Sequence, residues 1–174
     1  MHSEVAPDRL VTAAPSFDQV IADHLPMIRR IAAAHEANAT ARQDLIQDIL
    51  YAVWRSLRSF RGEGSLRGFI ARIATNRAVS HVQKALKLPE LAEPPDDLEA
   101  SEPGPEAYAV ARDETGQLLR ALRLLPIGLR EPALLALEGL TQQEIASVLG
   151  ITPNAVAIRM TRARSELRKA IGDK

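Results

Sequence analysis

Apolar positions along this chain recur at helical rather than strand spacing. Leu45, Ile49, Val53 and Leu57 fall on one stripe, with Ile46, Leu50 and Trp54 beside it. A stripe that wide predicts a helix over about 41–60, buried on two sides as in a small bundle, with Trp54 in the core. Upstream, a short helix over about 16–24 is followed by Pro26, which opens a second helix with Met27, Ile28, Ile31 and Ala32 inward. Downstream, the two glycines of RGEGS break the chain at 61–65. Ser65 then caps a helix that turns Leu66, Phe69, Ile70, Ile73 and Ala74 inward. Its outer face carries Arg67, Arg72, Asn76, Arg77, Ser80, His81 and Lys84.

The second half repeats the helical pattern with stronger punctuation. A helix is expected over about 109–125, interrupted by Pro126, and another over 128–139, with Pro132 tolerated near its first turn. Thr141 and Glu144 then form a capping box. Gly150 ends that helix, Thr152 caps the next, and Pro153 occupies its first turn, where a missing N–H costs nothing. The last helix buries Val156, Met160, Ala163 and Leu167, while Asn154, Arg159, Arg162, Arg164, Arg168 and Lys169 lie on its other faces. A short helix, a glycine turn and a cationic second helix make a helix-turn-helix, which lays its second helix in a DNA major groove. The plainer alternative is a helical hairpin with a basic solvent face. Arginine favours the DNA reading, because a guanidinium forks onto phosphate or onto the acceptor edge of guanine.

Composition sharpens this picture. Aromatic residues are 3% of the 174-residue chain and hydrophobic residues 46%, so Leu, Ile, Val and Ala must fill the cores, as suits helix-on-helix packing. Cysteine is absent, which excludes disulfides, zinc fingers and thiol chemistry and fits a cytoplasmic location. The N-terminus lacks the cationic start and apolar core of a signal peptide, and no apolar run reaches membrane-spanning length.

The net charge of zero hides a pattern: residues 17–88 carry +5, residues 89–114 carry −8 and residues 115–174 carry +4. Pro89, Pro94, Pro95, Pro103 and Pro105 stud the acidic stretch, which cannot form a continuous helix or a core. The expected organisation is a disordered tail over 1–15, a three- to four-helix domain over 16–87, a flexible acidic linker over 88–107 and a four-helix domain over 108–174. The fold class is all-α, with two small helical bundles. Two basic blocks on a linker that repels DNA point to two nucleic-acid-facing domains.

At this point the runs around DLIQDIL, FRGEGSLRGFIARIATN and EIASVLGITPNAVAIRMTRAR become informative together. The first two resemble the second conserved region of bacterial RNA polymerase sigma factors, and the third resembles their fourth region. A short chain holding only these two regions resembles the extracytoplasmic-function group. The resemblance covers about 17–87 and 115–171. It implies that Asp44, Leu45, Gln47 and Asp48 grip the coiled-coil clamp of the polymerase's largest subunit. Carboxylates and an amide on one helix edge suit a basic coiled coil. It implies that the following helix opens and reads the downstream promoter element through Arg72, Asn76, Arg77, Ser80, His81 and Lys84. Arg61 and the backbone N–H groups of its loop would hold a flipped base. In the fourth region, Asn154, Ala155, Ala157, Ile158, Arg159 and Arg162 match positions that face the upstream element. Ala157 and Ile158 depart from the polar residues common there and offer contacts to thymine methyls.

The partners so implied are core RNA polymerase, promoter DNA and an anti-sigma factor, often membrane-bound in this family, that holds the two domains together. No small-molecule substrate or cofactor is implied. Enzyme signatures are missing: the four histidines are scattered, and no zinc-protease motif, nucleophile elbow or metal cluster is present. Two rivals remain at this stage. One is a stand-alone helix-turn-helix regulator with an N-terminal sensor or dimerisation bundle, and the other is a helical adaptor for acidic proteins.

Overall fold

The computed structural model describes residues 16–87 and 106–172, with side chains from 114 onward in the second segment. The expected tail and nearly all of the expected linker lie outside the described residues. Among those described there are seven helices and no strand. They are α1 (Phe17–His35), α2 (Ala39–Leu57), α3 (Leu66–Lys87), α4 (Glu106–Leu124), α5 (Ile127–Leu137), α6 (Gln142–Leu149) and α7 (Pro153–Ile171).

The first three helices pack mutually. The Ser16 hydroxyl accepts from the Gln19 N–H to start α1. This helix continues through Pro26, which corrects the expectation of a break there. Proline inside a helix costs about 3 kcal/mol. Burial on both sides of it outweighs that cost, because Val20 before it and Met27, Ile28, Ile31 and Ala32 after it all join the core. Asn38 caps α2, whose Leu45, Ile46, Ile49, Ala52 and Val53 are buried. Trp54 is not in the core as the stripe suggested: it is 51% exposed. Gly62 and Gly64 both take φ of 78°, which lets the chain double back before the Ser65 hydroxyl accepts from the Gly68 N–H to open α3. There Ile70, Ala71, Ala74 and Ala78 have no exposed surface, and the three alanines let the neighbouring helices approach closely.

In the second unit α4 begins at Glu106, a little earlier than expected. The capping box is complete: the Glu144 N–H donates to the Thr141 hydroxyl, and the Thr141 N–H donates to the Glu144 carboxylate at 2.8 Å. Gly150, at φ 66°, provides the left-handed residue that turns α6 into α7. Thr152 caps α7, and the Gln142 amide donates to the Pro153 carbonyl at 2.6 Å, fixing the angle between the two helices.

The two units meet along α1 and α4 and where α3 crosses α5 and α6. Their buried apolar residues form one continuous cluster running from Val20 through Leu122 and Leu135 to Ala163.

The capping box supports a prediction. Hydrogen bonds from the Thr141 backbone and hydroxyl hold the Glu144 carboxyl below its ordinary value of 4.5. A group depressed in the folded state stabilises fully above its unfolded value and loses that contribution as pH falls through its folded value. Thr141→Ala should therefore cost about 0.5–2 kcal/mol at neutral pH. The Tm gap between wild type and Glu144→Gln should be present at pH 7 and close progressively below pH 4.5. Thermal melts across pH check both.

Candidate nucleic-acid and partner interfaces

Three surfaces collect the residues singled out by sequence. On α2, Asp44, Gln47 and Asp48 are exposed along one edge. Leu45 does not belong to that edge. It is 3% exposed and packs in the core, because one residue of helix turns the side chain about 100° away from Asp44. Its part is to hold α2 in place, which corrects its assignment as a contact residue. Sequence reasoning missed Tyr51 and Trp54, which extend the edge by two turns with 58% and 51% exposure. Their ring centroids lie 5.9 Å apart at a 32° tilt. The edge is thus acidic at one end and aromatic at the other. The spacing from Asp44 and Gln47, a multiple of a helical turn, was the available signal.

On α3, Asn76 and Lys84 are exposed, as is Arg61 in the preceding loop; Ser80 shares this face. Arg77 reaches Asp48 at 3.6 Å, joining this surface to the α2 edge through a half-exposed pair. His81 is turned inward instead: its Nε2 meets the Glu36 carboxylate at 2.8 Å, tying α3 to the turn between α1 and α2. Arg72 is also engaged. Its guanidinium donates to the Ser147 carbonyl at 2.6 Å and to the Ser147 hydroxyl at 3.1 Å. That carbonyl lies in the last turn of α6, where it has no partner within the helix and carries the negative end of the helix dipole.

On α7, Asn154, Ala157, Ile158 and Arg162 are exposed, with Ala155 and Arg159 partly covered. Arg164, Arg168 and Lys169 continue the cationic surface toward the C-terminal end. The cationic face of α7 and the acidic–aromatic edge of α2 are both exposed.

The surface between the units is a fourth site, and it was not legible in the sequence. Glu138, the C-cap of α5, keeps 2% of its side chain exposed. Arg30 of α1 grips it with two hydrogen bonds of 2.6 Å each, one to either carboxylate oxygen. This fork raises the Arg30 pKa above its ordinary value. Arg67 of α3 donates to the Glu138 backbone carbonyl and lies 3.9 Å from its carboxylate. Arg123 of α4 donates to the Ala33 carbonyl in the last turn of α1 at 2.8 Å. Buried His35 donates from Nδ1 to the Ile31 carbonyl, and its Nε2 lies 2.6 Å from the Glu131 carboxylate. Within the second unit, Arg130 donates to the Arg123 and Leu125 carbonyls at the end of α4. Burial lowers the Arg130 pKa. A groove of about 270 Å³ remains where the 63–65 loop and the start of α3 face α6, lined by Glu63, Phe69, Arg72, Glu144 and Val148 among others.

No group of three or more His, Asp or Glu among the described residues is arranged to hold a metal ion. No described helix is long and apolar enough to cross a membrane.

Residues 20–87 match Sigma-70 region 2, and residues 115–167 match Sigma-70, region 4. The chain is 32% identical over 161 residues to the RNA polymerase sigma factor CnrH of Cupriavidus metallidurans, covering 87% of this chain and 84% of that protein. It is 30% identical over 159 residues to the ECF RNA polymerase sigma factor SigE of Mycolicibacterium smegmatis; the match covers 90% of this chain and 62% of SigE. Among solved structures, CnrH in complex with the cytosolic domain of CnrY superposes with a TM-score of 0.65 at 27% identity, covering 88% of this chain and 85% of CnrH. The Bartonella quintana sigma factor RpoE, solved with the anti-sigma factor NepR, shares the fold with a TM-score of 0.71 at 21% identity, covering 89% and 96% of the two chains.

Trp54 is the chain's single tryptophan and reports directly on the α2 edge. Its emission should be red-shifted and strongly quenched by acrylamide in the native protein, with little further change on unfolding in urea. A blue, protected emission would return Trp54 to the core.

Proposed function

The chain belongs to the extracytoplasmic-function sigma factors of bacterial RNA polymerase, and from that membership we propose how its surfaces divide the work of initiation. As a sigma factor it binds core polymerase and directs transcription from promoters. The α2 edge of Asp44, Gln47 and Asp48, extended by Tyr51 and Trp54, docks on the polymerase clamp. Carboxylates pair with the basic residues of a coiled coil, and the aromatic pair adds apolar area that water leaves on docking. On α3, Arg72, Asn76, Arg77, Ser80 and Lys84, with Arg61 of the loop, meet the downstream element. His81 stiffens that helix through Glu36 rather than reading bases. The N-terminal half of α7 enters the major groove of the upstream element, with Asn154, Arg159 and Arg162 on base edges or phosphates and Ala157 and Ile158 against thymine methyls.

The observation that carries this reading is the pairing, in one chain, of a capped helix-turn-helix with an acidic–aromatic helix edge. A stand-alone regulator needs the first and has no use for the second, and the match to region 2 favours the sigma factor over that rival. Regulation is assigned to an anti-sigma factor, as in the solved complex of RpoE with NepR. The chain is placed in the cytoplasm, where the polymerase works, and is assigned no catalysis of its own.

Two substitutions test the assignments. Asp48→Arg should abolish co-elution with core polymerase in gel filtration while leaving the helical content and Tm close to wild type. The pair it breaks with Arg77 is half exposed, and such pairs contribute only about 0.2–1 kcal/mol. Unchanged co-elution would sink the clamp assignment. Arg159→Ala should cost about 1–3 kcal/mol of upstream-element binding by the holoenzyme and relax the preference at one base pair. Arg168→Ala should weaken binding evenly across sequences. Equal behaviour of the two variants on scrambled DNA would reduce Arg159 to a phosphate contact.

A further inference from the structure

We propose that the turn between α1 and α2 and the end of α4 together form a binding site for an oligophosphate, built on Arg42 from one unit and Arg120 and Arg123 from the other. The site depends on how the two units pack and not on any role at promoters.

The starting observation is an excess of cations. Arg123 of α4 donates to the Ala33 carbonyl in the last turn of α1 at 2.8 Å. Arg42, near the start of α2, donates to the Ala37 carbonyl just past the end of α1 at 3.4 Å. Guanidiniums from both units therefore gather over one end of α1. Arg120 is exposed on α4, one turn before Arg123. Burial, and then the nearby Arg42 and Arg120, push the Arg123 pKa below its ordinary value, and Glu36 offsets only part of this. The Glu36 carboxylate is already engaged: one oxygen accepts from the Asn38 N–H at 2.8 Å, and the other meets His81 Nε2 at 2.8 Å. Among the described residues, Arg42 and Arg123 meet carbonyls and neither meets a carboxylate.

Elsewhere between the units charge is matched, with Glu138 forked by Arg30 and Glu131 against His35. Here like charges face each other, an arrangement that costs energy until an anion joins them. The partial negative charge at the end of α1 favours a cation, but it amounts to about half a charge and does not balance three. An anion with several charges a few ångströms apart does. Guanidiniums fork onto phosphate oxygens, and a chain of two or three phosphates reaches arginines on different helices. Leu124 follows Arg123, stands four residues on from Arg120 and is 78% exposed, which offers apolar surface to a base. The oligophosphate can thus be inorganic or carried by a nucleoside. A ligand that touches both units stabilises their packing by mass action, so the packing responds to the concentration of the anion.

The test is calorimetric titration of the full chain with inorganic tripolyphosphate and with GTP, without divalent metal, beside thermal melts in sodium chloride of matched ionic strength. Tripolyphosphate should bind and raise Tm beyond the salt control. Arg42→Ala and Arg120→Ala, one from each unit, should each weaken binding on the order of tenfold, the loss of one charge-assisted hydrogen bond. Arg42→Glu should abolish it. Helical circular dichroism should stay unchanged, because Asn38 still caps α2. Arg164→Ala, which removes a cation of α7, should bind as wild type does. Equal affinity for the two ligands identifies the phosphate chain as the recognised group. Tighter binding of GTP that is lost in Leu124→Ala adds the nucleoside. Affinity unchanged in Arg42→Glu, an equal loss in Arg164→Ala, or a Tm rise reproduced by sodium chloride would overturn the site.

Discussion

The contact on which the arrangement of the molecule depends is Glu138 at the end of α5, forked by Arg30 and flanked by Arg67. A carboxylate with 2% exposure is costly unless cations meet it, and both cations come from the other half of the chain. Such a pair adds little net stability in general, but it discriminates strongly among relative positions of the two surfaces, because any shift leaves a buried charge unmatched. The arginine contacts to the Ala33 and Ser147 carbonyls add directional attachment points between the same two halves. Apolar burial supplies the attraction between the halves, and these polar contacts fix the register.

Within each half, local chemistry does more. The sequence from Thr141 to Thr152 specifies start, stop and restart through side chain–backbone hydrogen bonds spanning three residues and one left-handed glycine. The relative placement of α6 and α7 follows from this and from the Gln142 contact to Pro153. In the first half the alanines of α3 set how closely α1 and α2 approach, and the remaining helix faces are free to carry charge. The surfaces proposed to meet partners therefore lie on helices rather than loops, with Arg61 and its glycine-rich loop as the exception.

The capped helix-turn-helix was legible in sequence because its determinants lie within a few residues of one another. The α2 and α3 stripes were legible for a similar reason, since their periodicity is local. Three features were not. Pro26 looks like a boundary until burial on both flanks is known. Trp54 looks like core because a stripe wider than one face does not say which edge a neighbouring helix covers. Leu45 sits inside a motif whose other members face outward, and a motif read as a string ignores the turn of the helix. The pairs between the halves join residues separated by 71 to 108 positions, a distance at which pattern carries no information. Arg67 and Arg72 therefore read as part of one outward face, whereas the fold turns them onto region 4.

The two halves are clasped across Glu138 and the apolar cluster beneath it. The direct measurement is the distance between spin labels on Ala22→Cys in α1 and Ser165→Cys in α7, both exposed positions in a chain without native cysteine. Pulsed electron resonance should give a single narrow distance in the free chain. A broad distribution, as expected for two units tumbling independently on a linker, would contradict the clasp.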